Sequence, residues 1–145
     1  PTAHFDQVVG DDQGVVQAAK ADFVINIMPL TPATHHFFDQ AFFDQMRNQP
    51  IFINVGRGPS VDTEALIAAL NQHQLAGAGL DVFESEPLPS DSPLWGMDNV
   101  ILTPHISGGF QEYGDEAFGI LYQNLTSFIQ TGKVAVNKVD LSAGY

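Results

Sequence analysis

The sequence predicts an α/β protein built on a parallel sheet. Short apolar segments alternate with amphipathic segments along most of the chain, which is typical of parallel strands joined by right-handed helical crossovers. The 145 residues are 44% hydrophobic, enough for one core of ordinary domain size. Glycine, proline and polar residues follow the apolar segments, where such sheets bind their ligands.

The predicted elements follow one another with short connections. They are a helix at Asp11–Lys20, a strand at Phe23–Ile27, a helix at Asp39–Met46, strands at Pro50–Val55 and Leu75–Val82 with a helix at Asp62–Gln72 between them, a strand at Val100–Thr103, and a helix at Gln111–Gln130.

In the first half of the chain, local chemistry supports each element. The first helix has acidic residues at its start and a lysine at its end, the polarity that helices favour. The first two strands are short and largely apolar, a pattern typical of strands covered on both faces. Asp39 can cap the helix between them, with Phe42, Phe43 and Met46 on its buried side.

The second half contains the clearest helix, which begins at Asp62-Thr63-Glu64. Its apolar residues Ala65, Leu66, Ala69 and Leu70 recur at helical spacing. Glycines in the third strand mark close approach of neighbouring backbone, and three prolines exclude regular structure from Glu84–Met97. The last helix has a predicted apolar face of Ala117, Ile120, Leu121, Leu125, Phe128 and Ile129.

The amino-acid composition limits which partners and which cellular location we expect. Seventeen acidic residues against five basic ones give a net charge of -12. Because nucleic acid and anionic membranes are bound by clustered Lys and Arg, we predict neither as a partner. The sequence has no cysteine for disulfides or thiolate metal sites. It shows neither a signal peptide nor an apolar run of the ~18 residues that a membrane span needs, and we expect a cytoplasmic protein.

Two basic side chains follow predicted strands and can carry chemistry. Arg57, in Asn54-Val55-Gly56-Arg57-Gly58, can offer a planar pair of donors to a carboxylate, although a structural salt bridge is an equal alternative in so acidic a chain. His105 can exchange a proton near neutral pH, although a lone loop histidine is more often merely exposed.

Asp81, Glu84 and Glu86 place three carboxylates after the third strand. A carboxylate bonded to an imidazole fixes its tautomer and holds the ring, and Glu86, made rigid by Pro87, could do this. Asp81, at the strand end, could face a cofactor. We interpret Glu84 as a solvated residue of an acidic loop.

Three segments resemble the signature segments of the D-isomer-specific 2-hydroxyacid dehydrogenases in order and spacing, from about Ala21 to Gly109. They are IMPLTPATHHFFD, INVGRGPSVDTEALIAALNQHQLAGAGLDVFESEPLP and NVILTPHISG. Separated motifs in the right order are far harder to match by chance than one glycine pattern. The resemblance implies a Rossmann-like three-layer parallel sheet, the C-terminal part of an NAD(P)-binding domain.

The resemblance also implies roles. In this family an arginine binds the substrate carboxylate and carbonyl, a histidine donates and accepts the proton, and a glutamate pairs with that histidine; these roles fall on Arg57, His105 and Glu86. The implied cofactor is NAD or NADP, the substrate a 2-keto or 2-hydroxy acid, and the assembly a homodimer. Cofactor contacts are expected at Met28, Pro29, Thr34, Val55, Gly56, Arg57, Asp81, His105, Ser107 and Gly108.

The other histidines match no functional position of the family. We expect His4, His35, His36 and His73 at the surface. The adjacent pair His35-His36 lacks the spacing of a helical metal site, and no metal site is predicted.

The family's G-x-G-x-x-G turn is absent from the sequence, and Gly77-Ala78-Gly79 lies within a predicted strand rather than before a helix. The chain also begins without Met, in residues typical of a loop. We therefore expect a fragment, in which residues 1–109 are the C-terminal portion of the cofactor domain and residues 110–145 a helix and tail that would return to a substrate domain. Without the rest of the cleft the chain is expected to be inactive.

Two alternatives stay open from the sequence. One is a non-catalytic protein on the same fold that senses dinucleotide or binds partners, as the family's co-repressors do, because fold alone does not determine function. The retained Arg57, Glu86 and His105 favour chemistry over this alternative. The other is a remnant open reading frame without a role.

Overall fold

The computed structural model describes residues 4–142 and divides the chain into two compact units, the first ending at His105 and the second beginning at Ile106. The elements are α1 (Asp11–Ala18), β1 (Phe23–Asn26), α2 (Gln40–Phe43), β2 (Ile51–Asn54), α3 (Thr63–Asn71), β3 (Gly77–Leu80), β4 (Val100–Leu102) and α4 (Tyr113–Thr131), with 3-10 turns at Gly58–Ser60 and Pro93–Gly96.

The four strands form one parallel sheet in the order β1-β2-β3-β4, which confirms the predicted α/β class. Asn26 pairs in register with Asn54, and Leu80 with Leu102. Because all strands run in the same direction, the residues that follow them lie along one edge of the sheet.

In β1, one face is buried and the other is exposed. Val24 and Phe52 lie in the core, whereas Phe23 and Ile25 are 59% and 57% exposed. The prediction of cover on both faces is therefore wrong for β1, whereas in β2 only Ile51 is exposed, at 37%. The strand order follows the chain order, so successive right-handed crossovers place α2 and α3 on the same face.

The core beneath that face is rich in aromatic rings, which meet edge to face at centroid distances of 4.8 to 5.6 Å. The rings belong to Phe38, Phe42, Phe43 and Phe52. The predicted buried side of α2 is confirmed, although this helix ends at Phe43 after a single turn. The four predicted apolar residues of α3 are all buried.

Side chains cap both central helices, as the sequence predicts for Asp39. Asp39 accepts a hydrogen bond from the Phe42 N–H at 2.9 Å, and Asp62 accepts one from the Ala65 N–H at 3.0 Å. Each cap satisfies a backbone donor that the first helical turn leaves without a partner. These caps fix where the loops before α2 and α3 end.

Two local predictions meet different outcomes. A Cβ at Gly77 would lie 2.7 Å from the Asn99 carbonyl oxygen, which confirms close backbone approach in the third strand. The exclusion of regular structure from Glu84–Met97 needs correction, because Pro93–Gly96 forms one 3-10 turn. Proline suits the first position of such a turn, where its missing N–H is not needed.

The second unit contains α4, which ends at Gly132 in the left-handed conformation (φ 70°) favoured for glycine after a helix. None of its residues is buried. On its predicted apolar face, Leu121, Phe128 and Ile129 are exposed. The Asn124 carboxamide accepts hydrogen bonds from the N–H groups of Ala135 and Val136 and so holds the tail. Within residues 4–142, no helix is long and apolar enough to span a membrane.

Candidate active site

Three polar side chains are buried where β1 and β2 end: Asn26, Asn54 and Ser60, each at most 1% exposed. Asn26 Nδ2 donates to Asn54 Oδ1 at 2.9 Å and to Ser60 Oγ at 2.6 Å. Asn26 Oδ1 in turn accepts from the Met28 N–H at 3.0 Å. We call these three side chains the amide network.

The amide network holds the turn that carries Arg57. Asn54 Oδ1 accepts from the Gly56 N–H at 3.2 Å, while Asn54 Nδ2 and Ser60 Oγ donate to the Arg57 carbonyl at 3.3 and 2.6 Å. Every member therefore has hydrogen-bond partners away from water, which offsets the cost of burying it. As a result, the amide network fixes the position of the Arg57 backbone.

The Arg57 side chain, in contrast, is exposed. Its Nη1 donates to the Gly56 carbonyl at 2.7 Å, and among residues 4–142 no carboxylate forms an ion pair with it. The alternative role in a structural salt bridge thus has no support. A guanidinium in this state can bind a carboxylate through two parallel hydrogen bonds.

Glu86 and His105 form a hydrogen-bonded pair, with 2.8 Å between Glu86 Oε2 and His105 Nδ1. Glu86 Oε1 also accepts from the Phe83 N–H at 3.0 Å. The bonds from His105 and Phe83 hold the pKa of Glu86 below its usual range. The two side chains are 37% and 51% exposed, so the pair faces solvent and can meet a ligand.

The backbone at His105 has an unusual conformation, with a positive φ of 54°. Only a few per cent of non-glycine residues adopt it, and histidine is among the residues enriched there. The His105 N–H donates to the Asp81 carbonyl at 2.9 Å, which ties the turn to the end of β3. This turn aims the ring toward Glu86.

Asp81 lies at the end of β3 and is 2% exposed. Its carboxylate accepts a hydrogen bond from the Thr103 hydroxyl, and its N–H donates to the Asn54 carbonyl at 3.0 Å. Hydrogen bonds thus connect the ends of β2, β3 and β4 to one another.

The predicted cofactor positions of the first unit lie along the same edge. A Cβ at Gly56 would lie 2.9 Å from the Met28 carbonyl oxygen, so only glycine lets these two loops approach. Thr34 donates to the Pro29 carbonyl at 2.7 Å, and the Val55 N–H donates to the Asn26 carbonyl at 3.1 Å. These hydrogen bonds hold the loops after β1 and β2 in place, and their contact with a cofactor stays a prediction.

Ser107 and Gly108 belong to the second unit. They lie in a turn that the Gly109 N–H closes by donating to the Ile106 carbonyl at 3.0 Å. Their assignment to the cofactor stays a prediction.

A cleft of about 640 Å³ lies beside the Glu86–His105 pair. Its walls include the apolar side chains of Phe83, Leu88, Trp95 and Leu102. Walls of this kind exclude water from one side of a reacting group and strengthen nearby electrostatic interactions.

The interpretation of Glu84 needs correction. Glu84 is not merely solvated, because its Oε1 lies 2.6 Å from His36 Nε2 and its Oε2 accepts from the Thr63 N–H at 2.8 Å. His36 is half-buried, whereas His4, His35 and His73 are exposed as predicted. Within residues 4–142, no group of three His, Cys, Asp or Glu side chains could hold a metal ion.

The amide network and the His36–Glu84 pair were not predicted. A signal for the network does exist, since the first two strands both end in Ile-Asn, and an amide that closes an apolar run twice suggests a pair of facing side chains. No comparable signal exists for His36 and Glu84, which are 48 residues apart.

Comparison with known proteins identifies relatives over most of the chain. Residues 12–107 match the family model of the D-isomer specific 2-hydroxyacid dehydrogenase, NAD binding domain. Glyoxylate/hydroxypyruvate reductase B of Citrobacter koseri is 50% identical over 120 residues, which are 83% of this chain and 37% of that protein. The chain therefore spans little more than a third of the length of that relative.

Solved structures agree with this match. One is the D-isomer specific 2-hydroxyacid dehydrogenase of Xanthobacter autotrophicus in complex with NADPH and MES, which is 40% identical with a TM-score of 0.85. The match covers 94% of this chain and 55% of that protein's chain. Another is the NADPH-dependent glyoxylate/hydroxypyruvate reductase of Sinorhizobium meliloti in complex with NADP and sulfate, which is 32% identical with a TM-score of 0.84. The match covers 94% of this chain and 44% of that protein's chain. The sheet is thus of the Rossmann type, and the chain belongs to the D-isomer-specific 2-hydroxyacid dehydrogenase family.

Proposed function

We propose that this chain supplies the catalytic edge of an NAD(P)-dependent enzyme that reduces a 2-keto acid to a D-2-hydroxy acid, reversibly. The observation that carries the proposal is the 2.8 Å hydrogen bond between Glu86 and His105 at the carboxyl edge of the sheet. An imidazole held by a carboxylate in this way is suited to general acid–base catalysis. The exposed Arg57 guanidinium supports the same function.

Each side chain has a separate task in this proposal. Arg57 binds the substrate carboxylate through two hydrogen bonds and polarises the neighbouring carbonyl. His105 gives a proton to the carbonyl oxygen as it becomes an alkoxide, and Glu86 keeps the ring oriented and stabilises its charged form. The nicotinamide cofactor, when bound, supplies the hydride that goes to the carbonyl carbon.

We propose small acids, glyoxylate and hydroxypyruvate, as the substrates, because the relatives above carry these names. NAD or NADP would be held by Met28, Pro29, Thr34, Val55 and Gly56, with Asp81 toward the nicotinamide, and further contacts would come from Arg57, His105, Ser107 and Gly108. The division into a cofactor-domain portion at residues 1–109 and a returning helix at 110–145 belongs to this proposal, as does a homodimer, which light scattering can test.

A segment exchange tests the function directly. This chain replaces the matching segment of the Citrobacter koseri reductase, and oxidation of NADH and NADPH is followed with glyoxylate, hydroxypyruvate and pyruvate. We expect turnover from the exchange protein. We expect no steady turnover from the chain alone, whose sequence has no G-x-G-x-x-G turn for the pyrophosphate, and turnover by the chain alone would contradict that part.

Two substitutions in the exchange protein test the roles. His105→Ala should nearly abolish turnover, and His105→Asn, which suits the positive φ, should lower kcat by roughly 100- to 10,000-fold. Arg57→Ala should mainly raise KM for the keto acid. An unchanged rate in both His105 variants would refute the assignment of the proton donor.

A further inference from the structure

Glu84 connects three loops of the first unit. Its Oε1 bonds His36 in the loop after β1, its Oε2 accepts from Thr63 at the start of α3, and Glu84 itself lies in the loop after β3. The predicted catalytic residues Arg57 and Glu86 lie in two of the loops that these bonds connect.

These loops are in direct backbone contact. The N–H groups of His36 and Phe38 donate to the carbonyls of Pro59 and Ser60 at 2.9 and 3.0 Å. A Cβ at Gly58 would lie 1.9 Å from the Phe83 carbonyl oxygen, so the loop after β3 lies against the turn that follows Arg57. Glu84 is the next residue after Phe83, and its carboxylate bonds across this contact.

The strength of this connection comes from the combination of its bonds. An ion pair as exposed as that between Glu84 and His36 contributes little alone. The same carboxylate also accepts from the first turn of α3, where the helix dipole favours negative charge. Partial burial raises the pKa of Glu84, but the hydrogen bonds from Thr63 and His36 outweigh it and leave the pKa below its usual range.

We propose that Glu84 is a positioning residue, which holds the loop of Glu86 against the turn of Arg57 and thereby keeps Glu86 in contact with His105. The Phe83 N–H, one residue before Glu84, donates to Glu86, so release of Glu84 would loosen both bonds of that carboxylate. The catalytic meaning of this role rests on the proposed function, but the positioning itself does not.

The test follows the Glu86 carboxyl carbon by NMR during a pH titration of the full chain. Removal of the Glu84 charge would by itself lower the pKa of Glu86, because nearby anions raise the pKa of a carboxyl group. Release of the loop would raise this pKa, because the bonds from His105 and Phe83 that lower it would weaken. The sign of the shift therefore separates positioning from a change of charge.

We expect Glu84→Ala to raise the Glu86 midpoint toward that of an ordinary glutamate. Glu84→Gln removes the charge but keeps an oxygen that can accept from Thr63, so its midpoint should lie at or slightly below that of the unmodified chain. His36→Ala removes one bond and should give a smaller upward shift. Glu64→Ala removes an equal charge from the same end of α3, where Glu64 is exposed, and should give no upward shift.

The titration of Asp44 serves as the folding control, because its pKa is lowered by hydrogen bonds from the Gln74 and Gln40 side chains, which form no bond with Glu84 or Glu86. An unchanged or lower Glu86 midpoint in a folded Glu84→Ala chain would overturn the proposal, as would an equal rise in Glu64→Ala. If Glu84→Ala does not fold, His36→Ala takes its place: a rise of the Glu86 midpoint supports the proposal, and an unchanged or lower midpoint overturns it. An inactive exchange protein with a raised midpoint would refute the enzyme and leave the positioning role intact.

Discussion

The amide network and the Glu86–His105 pair lie along the same edge of the sheet and differ in charge and in exposure. The network is neutral and at most 1% exposed, whereas the pair contains titratable groups that are 37% and 51% exposed. A buried, satisfied network cannot rearrange without stranding a polar group. An exposed pair can exchange protons with a ligand. The protein thus fixes the Arg57 backbone with one cluster and places a proton donor with the other.

The largest expected effect comes from a substitution in the buried amide network. Asn54→Ala leaves the Gly56 N–H and an Asn26 amide hydrogen without their acceptor, and we expect a loss of about 2–4 kcal/mol in the free energy of unfolding. Urea unfolding followed by circular dichroism measures it. The matched control is Asn48→Ala, whose single bond to the Lys20 carbonyl is exposed; equal losses in the two variants would contradict the role of the network.

The next effect concerns the contact between the turn that follows Arg57 and the loop after β3. Gly58→Ala places a Cβ 1.9 Å from the Phe83 carbonyl oxygen, so backbone must move and about 1–3 kcal/mol of stability should be lost. Gly96→Ala is the control, because a Cβ there would meet no atom within 4 Å. Thermal unfolding compares the two variants, and a Gly58→Ala chain as stable as the control would show that these loops do not constrain each other.

The smallest expected effect concerns Glu86, in the exposed Glu86–His105 pair. Since the folded pKa of Glu86 is lowered, its contribution to stability is present above the ordinary glutamate pKa and is lost as the pH falls through the folded pKa. We expect Glu86→Gln to lose less than about 1 kcal/mol near neutral pH, and less still at high salt. Unfolding across acidic pH measures it; a difference that persists in acid would contradict the ionic contribution.

Local patterns predicted much of the fold because their causes are local. Helical spacing located the buried residues of α3, and the capping chemistry of Asp39 and Asp62 located two helix starts. Exposure of Phe23 and Ile25 was not predictable in this way, because it depends on strand order, which no short segment encodes. Of the candidate site, the pairing of Glu86 with His105 followed from family motifs, whereas the roles of Arg57, Glu86 and His105 stay predictions.

The left-handed backbone at His105 also limits which amino acids the position can accept. Outside glycine, the residues most enriched in that conformation are Asn, Asp and His. Of these three, only histidine changes its charge near neutral pH in its unperturbed state. Lysine, tyrosine and glutamate serve as proton donors elsewhere, but here they would have to adopt a conformation that they rarely tolerate. Selection for a group that titrates near neutral pH at this turn would therefore favour histidine, whatever the substrate.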